Sequence, residues 1–340
     1  MRRLTSPADS ERGGIAVIVA ILMVVMLGFA ALAIDVAKLY SERAQLQNGS
    51  DAAALMMAQK CAKNDADVNC STTSPLAAEL ANKNALDNLS NIKSITLDKV
   101  YRTVTVTAGA QEIGKAPNTV SLFFANVLGI PSTEVSAASS VRWGSPVEGT
   151  IVFPLAFSIC QVSGMVDGGA QLLQNHSADA NADCALGPAG KTVPGGFGWT
   201  SQNPGQCGGL VNLAINQSGS ATGNDGPSNC DAVLNKWASE LAAARPVIVL
   251  LPVYDDVTGT GSGASYHLKS FVAFSVQGWA FSGSDKLPMV YNNLSSTKSL
   301  ECKGNCRGII GQFVKYVSLA DGYKLGPVSP YGDTVVELTS

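Results

Sequence analysis

The chain has 340 residues, of which 46% are hydrophobic and 14% charged, an apolar content that excludes a disordered or collagen-like chain. Its 23 Lys and Arg stand against 26 Asp and Glu, a net charge of -3 with no basic run, which excludes a polybasic nucleic-acid binder. Eight Cys beside two His, with a charged fraction well under the roughly 25% of soluble domains, point to a membrane-anchored protein that faces an oxidising compartment and holds about two folded units.

From Gly13 to Ile34 no side chain is charged or strongly polar. At about 1.5 Å per helical residue this run is long enough to cross a hydrocarbon core of about 30 Å, and it is read as a single transmembrane helix. Pro246 to Pro252 is apolar but too short to span, and reads as a buried strand. Arg2, Arg3 and Arg12 precede the span, whereas Lys38 and Arg43 follow it. The positive-inside rule therefore favours a cytoplasmic N-terminus. All eight Cys lie after the span, which suits an exported, disulfide-bearing domain. A competing reading is a cleaved signal peptide, since Ala31-Leu32-Ala33 has the A-x-A pattern. Against it, the apolar run exceeds the usual h-region of about 7–15 residues.

Val36 to about Ala62 lacks proline and is rich in helix formers, so one helix is expected from about residue 14 to 60. Leu39, Leu46, Ala53 and Met57 form a weak apolar stripe along it, and Gly49-Ser50 is a point where it could loosen. Three runs here carry a resemblance: Glu11-Arg12-Gly13-Gly14, Leu27 to Tyr40 with Asp35 at the exit, and Arg43-Ala44-Gln45-Leu46-Gln47-Asn48 followed by Asp51-Ala52-Ala53-Ala54-Leu55. Together they resemble the N-terminal module of TadG-like proteins, of the TadE/TadG group in Tad (Flp pilus) assembly. The resemblance covers about the first 60 residues.

It implies a membrane-anchored pilus-assembly accessory, structural and non-enzymatic, without cofactors. Other Tad membrane proteins of the TadE/TadF kind, the pilus and the membrane are the implied partners, and nucleic acid is not. On the residues themselves, small side chains at Gly28 and Ala31 would let another helix approach closely in lipid. Asp35 either marks the helix exit or pairs with a partner helix or pilus component. A pilin cleaved after Gly14 would need Glu at its fifth mature position, where this chain has Val19, so no prepilin processing is expected.

Residues 35–145 read as that helix plus a small α+β, pseudopilin-like module, with helices at Pro75 to Leu89 and Thr119 to Leu128. Strands are expected at Ser94 to Leu97, Tyr101 to Ala108 and Glu134 to Trp143. Residues 146–340 read as a β-rich extracytoplasmic domain, with strands at Ile151 to Ile159, Pro246 to Val253, Tyr266 to Phe274 and Phe313 to Val317. One helix is expected at Ala232 to Ala244, capped by Asp231, and residues 195–228 are mostly loop. The fold class is thus α+β: a transmembrane helix over 13–34 after a cytoplasmic segment 1–12, a pseudopilin-like unit, and a disulfide-stabilised β-rich domain.

Cys61, Cys70, Cys160, Cys184, Cys207, Cys230, Cys302 and Cys306 are the disulfide candidates. Spacing alone does not assign their connectivity, but each neighbouring pair brackets a polar loop, so sequential pairing is expected. Cys302-Lys-Gly-Asn-Cys306 would need two further ligands to hold zinc, and no His lies near. His176 and His267 could serve a hydrolase as base, yet no nucleophile elbow is present. Asp255-Asp256 reads as a solvated turn, with ion binding or acid–base work as the alternative. Gly259 to Ala264 lacks the Gly-Lys-Ser/Thr of a phosphate loop. The von Willebrand A-like domain of many TadG proteins needs Asp-x-Ser-x-Ser after its first strand, and Val152 to Cys160 contains no Asp. Catalytic, cofactor and metal residues are therefore expected to be absent. A surface adhesin and a tethered hydrolase remain as alternatives.

Overall fold

A computed structural model describes residues 9–162, 168–174, 183–219, 229–281, 300, 306–314, 316–317, 323–330, 332 and 334–339. The chain divides into two compact units, one of Met1–Arg142 with Leu338–Ser340, the other of Trp143–Glu337.

The first unit is organised by helix α1, Asp9–Lys63, which runs without a break through Gly49-Ser50. Leu46, Ala53, Ala54, Met57 and Ala58 are buried, so the apolar stripe exists, and Leu39 packs at its edge. Helix α2, Pro75–Lys83, is capped by the Ser74 hydroxyl, which accepts from Ala77 N. It is shorter than expected and buries Ala77 and Ala81, while Leu86 lies beyond its end and is 85% exposed. Gly49 has a packing role: a Cβ there would sit 3.2 Å from the Cα and O of Ala81, so the missing side chain lets α2 close on α1.

Strands β1, Ser90–Asp98, and β2, Thr103–Ala110, pair antiparallel. In β2 the alternation seen in the sequence is realised, with Val104, Val106 and Ala108 fully buried. Where the sequence predicts a helix over 119–128, the structure has β3, Thr119–Ser121, a 3-10 turn, Ala125–Leu128, and β4, Ser132–Glu134. Two causes are visible. Thr119 and Val120 pair with β4, and Gly129 at φ 83° ends the turn after one cycle. The next strand, β5, Ser136–Ile151, pairs with β2 through residues 136–142. It is longer than expected and absorbs Ile151.

The second unit contains β6, Leu155–Ser158; α3, Ile159–Val162; β7, Gln171–Gln174; β8, Phe197–Trp199; β9, Gly209–Asn212; and β10, Gln217–Ser218. Residues 195–228 thus hold three short strands where the sequence suggests loop. After helix α4, Asp231–Ala242, come β11, Val247–Thr258; β12, Ser265–Ala280; β13, Gly308–Val314; β14, Tyr316–Val317; β15, Lys324–Gly326; and β16, Thr334–Leu338. Asp231 is the first helical residue of α4 and not its cap. Cys230 holds the cap position without a side-chain bond, and it is tied there by a disulfide to Cys207.

One sheet has the order β7-β13-β12-β11-β6-β8, with β10 on β12. Among the described residues, β11–β6 is the parallel pairing of this sheet and its other pairings are antiparallel. Residues 145–151 of β5 pair with β9 and β15. The core is aromatic: Phe153, Phe157, Phe271, Phe274, Phe313 and Trp279 are at most 2% exposed, and Phe274 and Phe313 meet edge-on at 4.9 Å. Overall the chain is a long apolar N-terminal helix followed by mixed α+β structure with a β-rich distal unit.

Candidate functional site

From Ile15 to Ile34 the flank of α1 is bare. Val24 is 71% exposed, Met26 69%, Phe29 68% and Ile15 61%, and the helix holds a window of mean hydropathy 3.1. A surface of this size and polarity is stable only against lipid or another apolar surface.

At the end of this flank sits Asp35, 4% exposed. Its Oδ1 accepts from Phe123 N at 3.0 Å, and its Oδ2 from Phe124 N at 2.9 Å and Ala125 N at 2.6 Å. These are the donors that a short helical turn leaves without partners at its start. One helical turn on, Lys38 Nζ donates to Glu112 Oε1 at 2.8 Å and to Ser121 O at 3.0 Å. Residues three apart share a helix face, so one turn of α1 clamps the segment 112–125. Burial opposes the charge on Asp35, but the bonds from Ala125, Phe123 and Phe124, with Lys38 nearby, prevail. They hold its carboxyl below the ordinary 3.8. Asp35 therefore does more than mark the helix exit: its bonds are made within the chain.

Gly28 and Ala31 line an apolar cleft of about 390 Å³ together with Val25, Phe29, Leu32, Phe124, Val127 and Leu128. A Cβ on Gly28 would meet nothing within 4 Å, so among the described residues no close helix contact forms at that position.

A second polar cluster lies on β11 and β12, and here the sequence expectation of a solvated turn at Asp255-Asp256 is corrected. The β11–β12 register passes from Tyr254↔Leu268 to Asp256↔His267, which leaves Asp255 as the extra residue of a bulge. Bulges re-aim side chains. Asp255 is 3% exposed and bonds His267 Nδ1, with Lys269 Nζ 3.8 Å from its other oxygen. Asp256 pairs with Lys191 at 2.5 Å, a bond that lowers its carboxyl below the usual range. Such an arrangement orients an imidazole, as a carboxylate does beside a catalytic base. The His267 side chain is 48% exposed, and no hydroxyl is bonded to its other ring nitrogen among the described residues.

The cysteines pair in chain order: Cys61–Cys70, Cys160–Cys184 and Cys207–Cys230. Cys306 is disulfide-bonded; Cys302 and His176 lie outside the described residues. No cluster of metal-binding side chains occurs among the described residues.

Residues 13–59 match the model of the Flp pilus-assembly TadE/G-like (Tad) family. The chain carries a Tad domain. This domain begins at the bare flank of α1, passes through Asp35 and Lys38, and ends on the buried stripe at Met57 and Ala58. No curated protein and no solved structure matches the chain. The partners of Asp35 and Lys38 lie about 75 to 90 residues away in sequence, and sequence reasoning missed them. The signal that could have found them is an uncharged stretch with two adjacent Phe, from Ala116 to Thr133, which suits neither a solvated loop nor a buried strand.

Proposed function

We propose that this protein is a TadG-like accessory of Tad/Flp pilus assembly, structural and not enzymatic. Its N-terminus lies in the cytoplasm and residues 36–340 lie outside it, held to the cell membrane by α1. The observation that carries this reading is the Tad domain itself, which falls on the length of α1 that leaves the membrane and enters a folded unit. The Arg-rich side of the span supports the orientation, as do disulfides that all follow it in the chain. TadE/TadF-like membrane proteins and the pilus are the partners this role calls for. On this reading the Asp255–His267 bond clamps a bulged strand pair and performs no chemistry.

Deletion of the gene tests the proposal, with surface pili counted by electron microscopy and the full chain restored from a plasmid. Loss of pili, regained on restoration, is the expected result. Unchanged pili with lost attachment would replace the assembly role by that of an adhesin. Phosphatase fused after Ser340 is expected to be active only outside the cytoplasm, and an inactive fusion would reverse the orientation.

A further inference from the structure

The segment from Leu122 to Pro131 presents Phe123 at 78% exposure, Val127 at 84%, Leu128 at 69% and Ile130 at 52%. No Asp, Glu, Lys or Arg occurs between Ala116 and Thr133. An exposed turn in water gains nothing from four large apolar side chains. Its position explains them. The helix residues that share its cleft, Val25 to Leu32, all precede Asp35, so the turn lies on the membrane side of that carboxylate. At about 1.5 Å per residue, Leu32 is roughly 4.5 Å and Val25 roughly 15 Å along the helix from Asp35 toward the bilayer centre.

We propose that residues 123–130 form a second membrane contact, inserted among the lipid acyl chains of the leaflet on the C-terminal side of α1, with acyl chains filling the cleft between the turn and the helix. The occupant follows from continuity: one wall of the cleft is the lipid-facing flank of a membrane-spanning helix, and the other wall is the turn. The backbone is prepared for this environment, where an unpaired polar group is costly. Phe123, Phe124 and Ala125 donate to Asp35. Leu122 N donates to Pro131 O, Val127 N to Phe124 O, Gly129 N to Asn126 O and Ile130 N to Ala125 O. Interfacial segments bury their apolar side about 5–10 Å into the headgroup and acyl boundary, the depth of Leu32 and Phe29. Asp35 then stands at the interface, where its charge and that of Lys38 remain near water. The proposal needs α1 to span a membrane and needs no part of the pilus-assembly role.

A photoreactive benzoylphenylalanine in place of Val127 tests it, in the full chain reconstituted into phosphatidylethanolamine/phosphatidylglycerol vesicles. Irradiation is expected to add the mass of one phospholipid to the peptide that contains residue 127. The same group at Leu86, exposed but bonded through its backbone N–H to Gln45 Oε1 and so about 15 Å beyond Asp35, is expected to add none. A second variant, Leu128→Asp, alters an exposed side chain that holds none of the Asp35 bonds, so the unit still folds. It is expected to reduce the lipid adduct at residue 127 at least fivefold. Adducts at residue 127 only to protein, whether a second copy or another chain, would overturn the proposal, as would equal lipid labelling at residues 86 and 127.

Discussion

Asp35 receives three backbone N–H bonds on its two oxygens, and its removal would leave three donors unpaired at the start of the 3-10 turn. Bonds to a charged group are worth more than neutral ones. In Asp35→Ala, amide exchange at Phe123, Phe124 and Ala125 is expected to accelerate on the order of tenfold or more, read by hydrogen-exchange mass spectrometry. Unchanged protection would deny Asp35 this role. The pH dependence follows from its lowered carboxyl. A group whose folded value is depressed stabilises above the unfolded value and loses that effect as pH falls through the folded one. The turn is therefore expected to stay docked above pH 3.8 and to release as the solution is acidified below it, while Asp35→Asn abolishes that pH dependence. The identity of Asp35 as a special residue was legible in the sequence; its partners were not, because they come from a segment far along the chain that reads as a helix by itself.

Among the elements, α1 and α2 approach through small residues. Gly49 lies against Ala81, and Ala53, Ala54, Ala58 and Ala77 are fully buried. Gly49→Leu would force the helices apart and is expected to destabilise the first unit by about 1–3 kcal/mol, the usual cost of overpacking, measured as a lower thermal midpoint by circular dichroism in detergent. A helix-propensity argument predicts the reverse, since Leu is the better helix former, so the sign decides between them. The β11–β12 pair shows the same division of information. The apolar run at Pro246 to Val253 announces a strand, and the run of buried residues from Val249 to Asp255 fits a strand covered on both faces. The register shift around Asp255 cannot be read locally, because a bulge is defined by the partner strand.

At the scale of the whole molecule, all four Trp, namely Trp143, Trp199, Trp237 and Trp279, fall in the unit Trp143–Glu337, whereas the Cys61–Cys70 bridge belongs to the other. Tryptophan fluorescence thus follows one unit selectively. Replacing Cys160 and Cys184 together by Ser is expected to destabilise that unit by about 2–4 kcal/mol, seen as a lower urea midpoint of tryptophan emission. The same replacement at Cys61 and Cys70 is expected to leave this midpoint in place while lowering that of the helical signal. If both pairs shifted the tryptophan midpoint alike, the two units would be unfolding as one.

The sequence by itself determined the membrane helix, the Tad resemblance and the alternation in β2. Each depends on residues close together in the chain, where period and length act directly. Tertiary structure alone decided that residues 119–128 form a strand and a turn, that Asp255 lies inside a bulge, and that Asp35 binds its own chain. In each case a partner outside the segment itself decides, and for Asp35 that partner lies about 90 residues away; a buried polar group takes the conformation that satisfies it over the one its local propensity favours.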